Sequence, residues 1–118
     1  MFSPSPAASI WLYTQPADMR KSYRGLLGLI KQQMNESPQQ GYFVFINRNK
    51  TQMKILYFEP TGYCIWCKRL AQGQFNYAQS TSGKQRLSAL DLQHILAGVK
   101  IEKYRQFKRY KTPNISPS

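Results

Sequence analysis

The sequence predicts a small α+β domain of two layers, an antiparallel β-meander of three to five strands packed with two helices. Three observations carry this. At 118 residues the chain suits one domain, which buries roughly 65% of its unfolded surface. Apolar residues make up 42% and aromatics 14%, enough for one core. Apolar runs of strand length crowd between residues 42 and 70, and segments of helical spacing lie on either side of them. The expected organisation is a flexible lead over 1–9, a single domain over 10–99 and a basic, partly disordered tail over 100–118.

Small residues and prolines make up the lead, MFSPSPAAS. Ile10–Thr14 (IWLYT) is a short run of β-formers and reads as a strand. Asp18–Met34 reads as an amphipathic helix with Asp18 as N-cap. Met19, Tyr23, Leu26, Leu27, Ile30 and Met34 share one stripe, while Arg20, Lys21, Arg24 and Lys31 lie on another. Gly25 and Gly28, three apart at the border of the apolar stripe, are expected to let a strand approach closely. Pro38 prevents continuation of the helix.

Tyr42–Ile46 (YFVFI) is continuously apolar, as in a strand buried on both faces. Asn47–Lys50 forms a turn carrying Arg48 and Lys50. Thr51–Phe58 and Tyr63–Leu70 complete the meander. They are joined by Glu59-Pro60-Thr61-Gly62, with Pro second and Gly fourth in a tight turn. A short further strand is expected near Gln74–Tyr77, and Gln79–Lys84 reads as a polar loop. The last helix starts at Ser88, with Asp91 at N3 as a variant capping box and Leu87 and Leu92 as the staple. Leu92, Ile95, Leu96 and Val99 form its stripe, and Gly98 its C-cap.

Charge narrows the function. Seventeen Lys and Arg against five Asp and Glu give +12 and a pI near 10.0. Such an excess attracts nucleic acid or an anionic membrane face. The five acids, Asp18, Glu36, Glu59, Asp91 and Glu102, stand singly, no two within ten residues. Paired-carboxylate and two-metal chemistry therefore have no local candidate. One His and two Cys make no ordinary zinc site. No cofactor, metal or catalytic residue is expected. A nuclease using Asp18 or Glu59 with a metal is the remaining enzymatic alternative. No apolar run reaches membrane-spanning length, and the first nine residues do not read as a signal peptide. A bacterial cytoplasmic location follows as the expectation, with nucleoid association when bound.

Cys64-x-x-Cys67 falls in a strand, where positions i and i+3 point to opposite faces. It reads as two unrelated thiols, one packed and one half-exposed. His94 lies off its helix's apolar stripe and reads as structural or solvated. Lys68 and Arg69 must face opposite sides of their strand, so only one can join Lys54. From Lys100 to Lys111 six cations interleave with Tyr104, Phe107 and Tyr110. That pattern suits phosphate neutralisation with base stacking. The candidate nucleic-acid-binding residues are Arg20, Lys21, Arg24, Arg48, Lys54, Lys68, Arg69, Lys103, Arg105, Lys108 and Arg109.

Pro16-Ala17-Asp18-Met19-Arg20-Lys21 with Gly25-Leu26 is similar to the start of a known family. The match continues through Val44-Phe45-Ile46-Asn47-Arg48, Lys54-Ile55-Leu56-Tyr57, Gly62, Trp66-Cys67-Lys68-Arg69-Leu70 and Gly73-Gln74-Phe75. The chain resembles, over about residues 10–98, the TnpB-type accessory proteins of bacterial insertion sequences of the IS-sixty-six class. These are second-open-reading-frame products, unrelated to the RNA-guided nucleases that share the TnpB name. The chain departs from the pattern at Ser22-Tyr23, at Glu59-Pro60 and at Ala71, where the family often carries acids in other arrangements. The resemblance implies an accessory factor for transposition, with strand transfer done by a separate transposase. The expected partners are DNA, bound with weak sequence preference, and the element's transposase and other element-encoded proteins. The alternative is a protein-interaction module that docks on the transposase without touching DNA.

Overall fold

In the computed structural model the run Tyr42–Ile46 is the middle strand of a five-stranded sheet. The structure describes residues 2, 4, 5, 7–78 and 80–99. In chain order the elements are β1 (Ile10–Tyr13), α1 (Tyr23–Gln32), β2 (Tyr42–Ile46), β3 (Gln52–Glu59), β4 (Gly62–Arg69), β5 (Lys84–Leu87) and α2 (Ala89–Ala97). The strand order is β4-β3-β2-β1-β5. All neighbours are antiparallel except β1 and β2, which run parallel. The α+β class stands as the sequence predicts.

The layers number three rather than two. Phe43 and Phe45 of β2 point to α1, where they meet Leu26, Ile30, Met34 and Leu56. Val44 and Ile46 point the other way, into a core with Ile10, Leu12, Met53, Ile55, Leu92, Ile95 and Leu96. The helices thus cover opposite faces. Each of these four β2 side chains is fully buried, as a continuously apolar strand requires.

β1 reaches its place by a parallel crossover through α1. Its entry is close: a Cβ on Gly41, at φ 117°, would stand 2.6 Å from the Ser9 carbonyl oxygen. Tyr42 N–H donates to that same oxygen at 2.8 Å. Only Gly admits this approach.

The first helix begins four residues later than its hydrophobic spacing suggests. Asp18 does not cap it. The Asp18 carboxylate accepts from Arg20 N–H (2.9 Å) and clasps the Arg20 guanidinium. The Lys21 carbonyl, which a continued helix would turn toward residue 25, accepts instead from Lys54 Nζ at 2.6 Å. Helical bonding begins with Leu26 N–H to Ser22 C=O (2.9 Å), and Ser22 is the N-cap without a side-chain bond. Tyr23, expected in the core, is 45% exposed. No strand presses on Gly25 or Gly28. A Cβ at Gly25 would first meet the Lys21 side chain, and one at Gly28 would meet open space.

The fifth strand is not near Gln74–Tyr77. There Phe75 and Tyr77 are buried, but the backbone makes a single bridge, Gln74 to Val99. The strand is β5, KQRL, antiparallel to β1. Only Leu87 of it is buried, so it carries no apolar alternation to announce it. α2 forms as predicted, with Asp91 N–H to Ser88 Oγ at 3.0 Å and Ser88 N–H to Asp91 Oδ2 at 2.9 Å. Gly98 ends it at φ 75°. Val99, read into its stripe, is 52% exposed.

At the start of the chain, Phe2 stacks among Tyr42, Tyr57 and Trp66, with ring centroids 5.5, 5.7 and 5.1 Å away. Gln93 Nε2 holds its carbonyl at 3.1 Å.

Three outcomes test this packing. Ile30→Ala, at a fully buried position, should cost about 3 kcal/mol in urea unfolding. Ser88→Ala should cost about 1 kcal/mol. The Ser88 amide holds the Asp91 carboxyl below its ordinary range. The Asp91 contribution is therefore full above about pH 4 and fades as pH falls through its lowered value. The stability gap between the wild type and Asp91→Asn should close over that acid range.

Candidate nucleic-acid interface

Both faces of the sheet are covered, so cations are left to strand ends, turns and edges. The densest group lies where β3 begins and β4 ends. Gln52 pairs with Arg69, and Lys54 with Cys67. Side chains alternate, so Lys54, Cys67 and Arg69 share the α1 face while Lys68 lies on the α2 face. Lys54 and Arg69 are diagonal neighbours, about 7–8 Å apart at the backbone.

Two connections bring further cations to this end. The β1–α1 loop is pinned to the end of β2 by Ala17 N–H to Ile46 C=O (2.9 Å) and to β3 by the Lys54 ammonium. It delivers Arg20 and Lys21. The β2–β3 turn is shaped by Asn47, whose Oδ1 accepts from Thr51 and Gln52 N–H at 2.8 and 3.0 Å. That turn holds Arg48 out in solvent. Met19, Gln52, Met53, Lys54, Cys67, Lys68 and Arg69 line a shallow concavity between loop and strands.

The cations differ in what they have free. Arg48 and Arg69 are exposed. Arg20 has 91% of its side chain exposed, yet pairs with Asp18 at 2.7 Å. That bond raises the Arg20 pKa and holds the Asp18 carboxyl well below the usual carboxylate range. Lys54 is half-buried and holds the loop. Lys68 turns to the opposite face and donates to the Leu96 carbonyl at 3.0 Å, at the end of α2. Arg24 is exposed on α1, on the helix rather than in the concavity. Lys103, Arg105, Lys108 and Arg109 lie outside the described residues.

Lys50, Lys84 and Arg86 are among the cations outside the candidate set. Lys50 Nζ donates to the Tyr77 carbonyl at 3.2 Å and sits 5.0 Å from that ring's centroid. Lys84 and Arg86 flank Trp11, at 4.8 and 5.6 Å from its ring. Lys84 also pairs with Glu36. The signal for the last two was alternation within Lys84-Gln85-Arg86-Leu87, legible only once that segment is known to be a strand.

Cys64 and Cys67 are both free thiols. Cys64 is half-buried and Cys67 exposed, on opposite faces of β4. Burial, then the Glu59 carboxylate, push the Cys64 thiol up. His94 is exposed on α2. Among the described residues no three His, Cys, Asp or Glu converge on a metal position. Among them no helix is long and apolar enough to cross a membrane.

Residues 8–106 match the family model described as IS66 Orf2 like protein. The chain belongs to that family. This makes it a transposition-associated accessory protein, as the resemblance implies. Two relatives come from Sinorhizobium fredii (strain NBRC 101917 / NGR234). One, named "Uncharacterized protein y4hO", is 28% identical over 91 residues, 76% of this chain and 79% of the relative. The other, "Uncharacterized protein y4jC", is 27% identical over 100 residues, 84% and 86% respectively. No solved structure matches.

The two kinds of cation are separable by substitution. Lys54→Met removes the bond that holds the loop and should cost about 1–2 kcal/mol in thermal or urea unfolding. Arg69→Gln, at an exposed position, should stay within about 0.5 kcal/mol of wild type.

Proposed function

We propose that this IS66 Orf2-family protein is a non-catalytic accessory factor that binds DNA along its phosphate backbone. Contact is made through the basic end of the sheet. The observation that supports this is the convergence of Arg20 and Lys21 from a loop, Arg48 from a turn, and Lys54 and Arg69 from two strands. Residues separated by nearly fifty positions are brought to one surface, and its acid, Asp18, is already engaged by Arg20. Guanidinium and ammonium groups on a loop, a turn and strand ends suit phosphates. Sequence preference is therefore weak. The tail cations Lys103, Arg105, Lys108 and Arg109 would add charge of the same sign. The element's transposase is the protein partner that this accessory role calls for, and it would supply the strand-transfer chemistry.

The test is a binding titration at several salt concentrations. It compares element terminal repeats, random duplex and single strand. If four phosphates are neutralised, log affinity should fall against log salt with a slope of about −4 on duplex. The double variant Arg48→Gln, Arg69→Gln should flatten that slope by about 2. A salt-independent affinity would sink the backbone mechanism. Absence of binding to all three DNAs, with a transposase complex that survives nuclease treatment, would move the basic end onto that protein.

A further inference from the structure

We propose that β4 is the seam of a dimer, in which two copies pair their β4 strands edge to edge and antiparallel. Among the described residues β4 is the outer strand of the sheet. It is eight residues long and pairs with β3 along its whole length without a break in register. Proteins ordinarily blunt such an edge with a proline, a bulge, a short strand or charges spread along it. The opposite edge, β5, is four residues long and carries Lys84 and Arg86. β4 has no proline and no bulge, and from Gly62 to Cys67 it carries no charge. Its only cations, Lys68 and Arg69, stand together at one end.

Leu70 N–H donates to Thr51 C=O at 2.9 Å. An antiparallel ladder alternates, so even-numbered residues of β4 turn their amides to β3. Tyr63, Ile65, Cys67 and Arg69 turn theirs outward. Pairing about Ile65 joins these outward groups and keeps like faces together. It sets Ile65 against Ile65 of the second copy, Tyr63 against Cys67, and Cys64 against Trp66. Lys68 comes beside Gly62 of the second copy, which has no side chain, at a hairpin tip where Glu59 is exposed. Charge complementarity thus selects the second copy and its direction. Antiparallel pairing sets cations against an acid and separates the two basic ends. Parallel pairing would set cations against cations.

The test uses the full chain, freed of nucleic acid, in sedimentation equilibrium and disulfide trapping. Register partners of this kind lie about 5.5 Å apart at Cα, within disulfide reach. Tyr63→Cys combined with Cys64→Ser leaves Cys67 as the only other thiol. Within one strand the two positions are about 13 Å apart and cannot bond. Oxidation should therefore give a covalent dimer. Ile65→Pro removes an outward amide and spares the β3 ladder, so the folded variant should be monomeric. Glu59→Lys should weaken dimerisation roughly tenfold. A wild-type chain that stays monomeric to its solubility limit overturns the proposal. So does a dimer that yields no cross-link, or one that persists in folded Ile65→Pro. If Ile65→Pro does not fold, the cross-link decides: a covalent dimer supports the seam, and its absence refutes it.

Discussion

Alternate side chains of one five-residue strand enter two separate cores, and the other elements are placed by that division. Phe43 and Phe45 require cover on one face of the sheet, Val44 and Ile46 on the other. Each fully buried aliphatic or aromatic side chain contributes about 1.5–3 kcal/mol relative to exposure. Leaving either face open would therefore cost several times that. α1 and α2 accordingly lie on opposite faces. β1 fits beside β2 only because Gly41 lets Ser9 approach. With both faces occupied, the basic residues of the described domain have no flat sheet surface to decorate. Apart from Arg24 and Lys31 on α1, they gather in loops and at the ends and edges of strands, where the proposed DNA contact lies.

One bond ties that core to the basic surface. The Lys54 ammonium is given up to the Lys21 carbonyl, so a strand cation becomes the anchor of a loop. The anchor has two consequences. It takes the carbonyl that would have continued α1 toward its N-terminus. It also holds Arg20 and Lys21 against the end of β3 and β4, where Arg69 stands. This charge-assisted bond, together with the Ala17–Ile46 bond, fixes the loop before α1 and the cations it presents. Lys68 shows the contrast. One position from Arg69, it faces the other way and satisfies the last turn of α2. Adjacent cations in a strand serve different parts of the molecule because side chains alternate.

Much of this was legible in the residues taken alone. The α+β class, β2 as a doubly buried strand, the Pro60-Thr61 hairpin and the capping box of α2 each follow from local chemistry. Apolar periodicity, turn residues and a Ser–Asp pair carry it within a few positions. The alternation that separates Lys68 from Arg69 was equally legible. The family was legible too, since ordered short motifs survive where each piece alone is weak. Other features depended on partners far along the chain. The Asp18–Lys21 stretch has helical spacing, but distant partners hold it as a loop: Ile46 bonds the preceding Ala17, and Lys54, thirty-three residues away, bonds Lys21. β5 has one buried side chain and becomes a strand because β1 offers it a ladder. The third layer exists because α1 and α2 meet opposite faces, and two amphipathic stripes do not say which face each will take. Sequence alone determined the elements whose stabilising contacts are local, and the net charge. The tertiary structure decided which distant groups share a face, because backbone and ammonium groups take whichever hydrogen-bond partner the packed core leaves within reach.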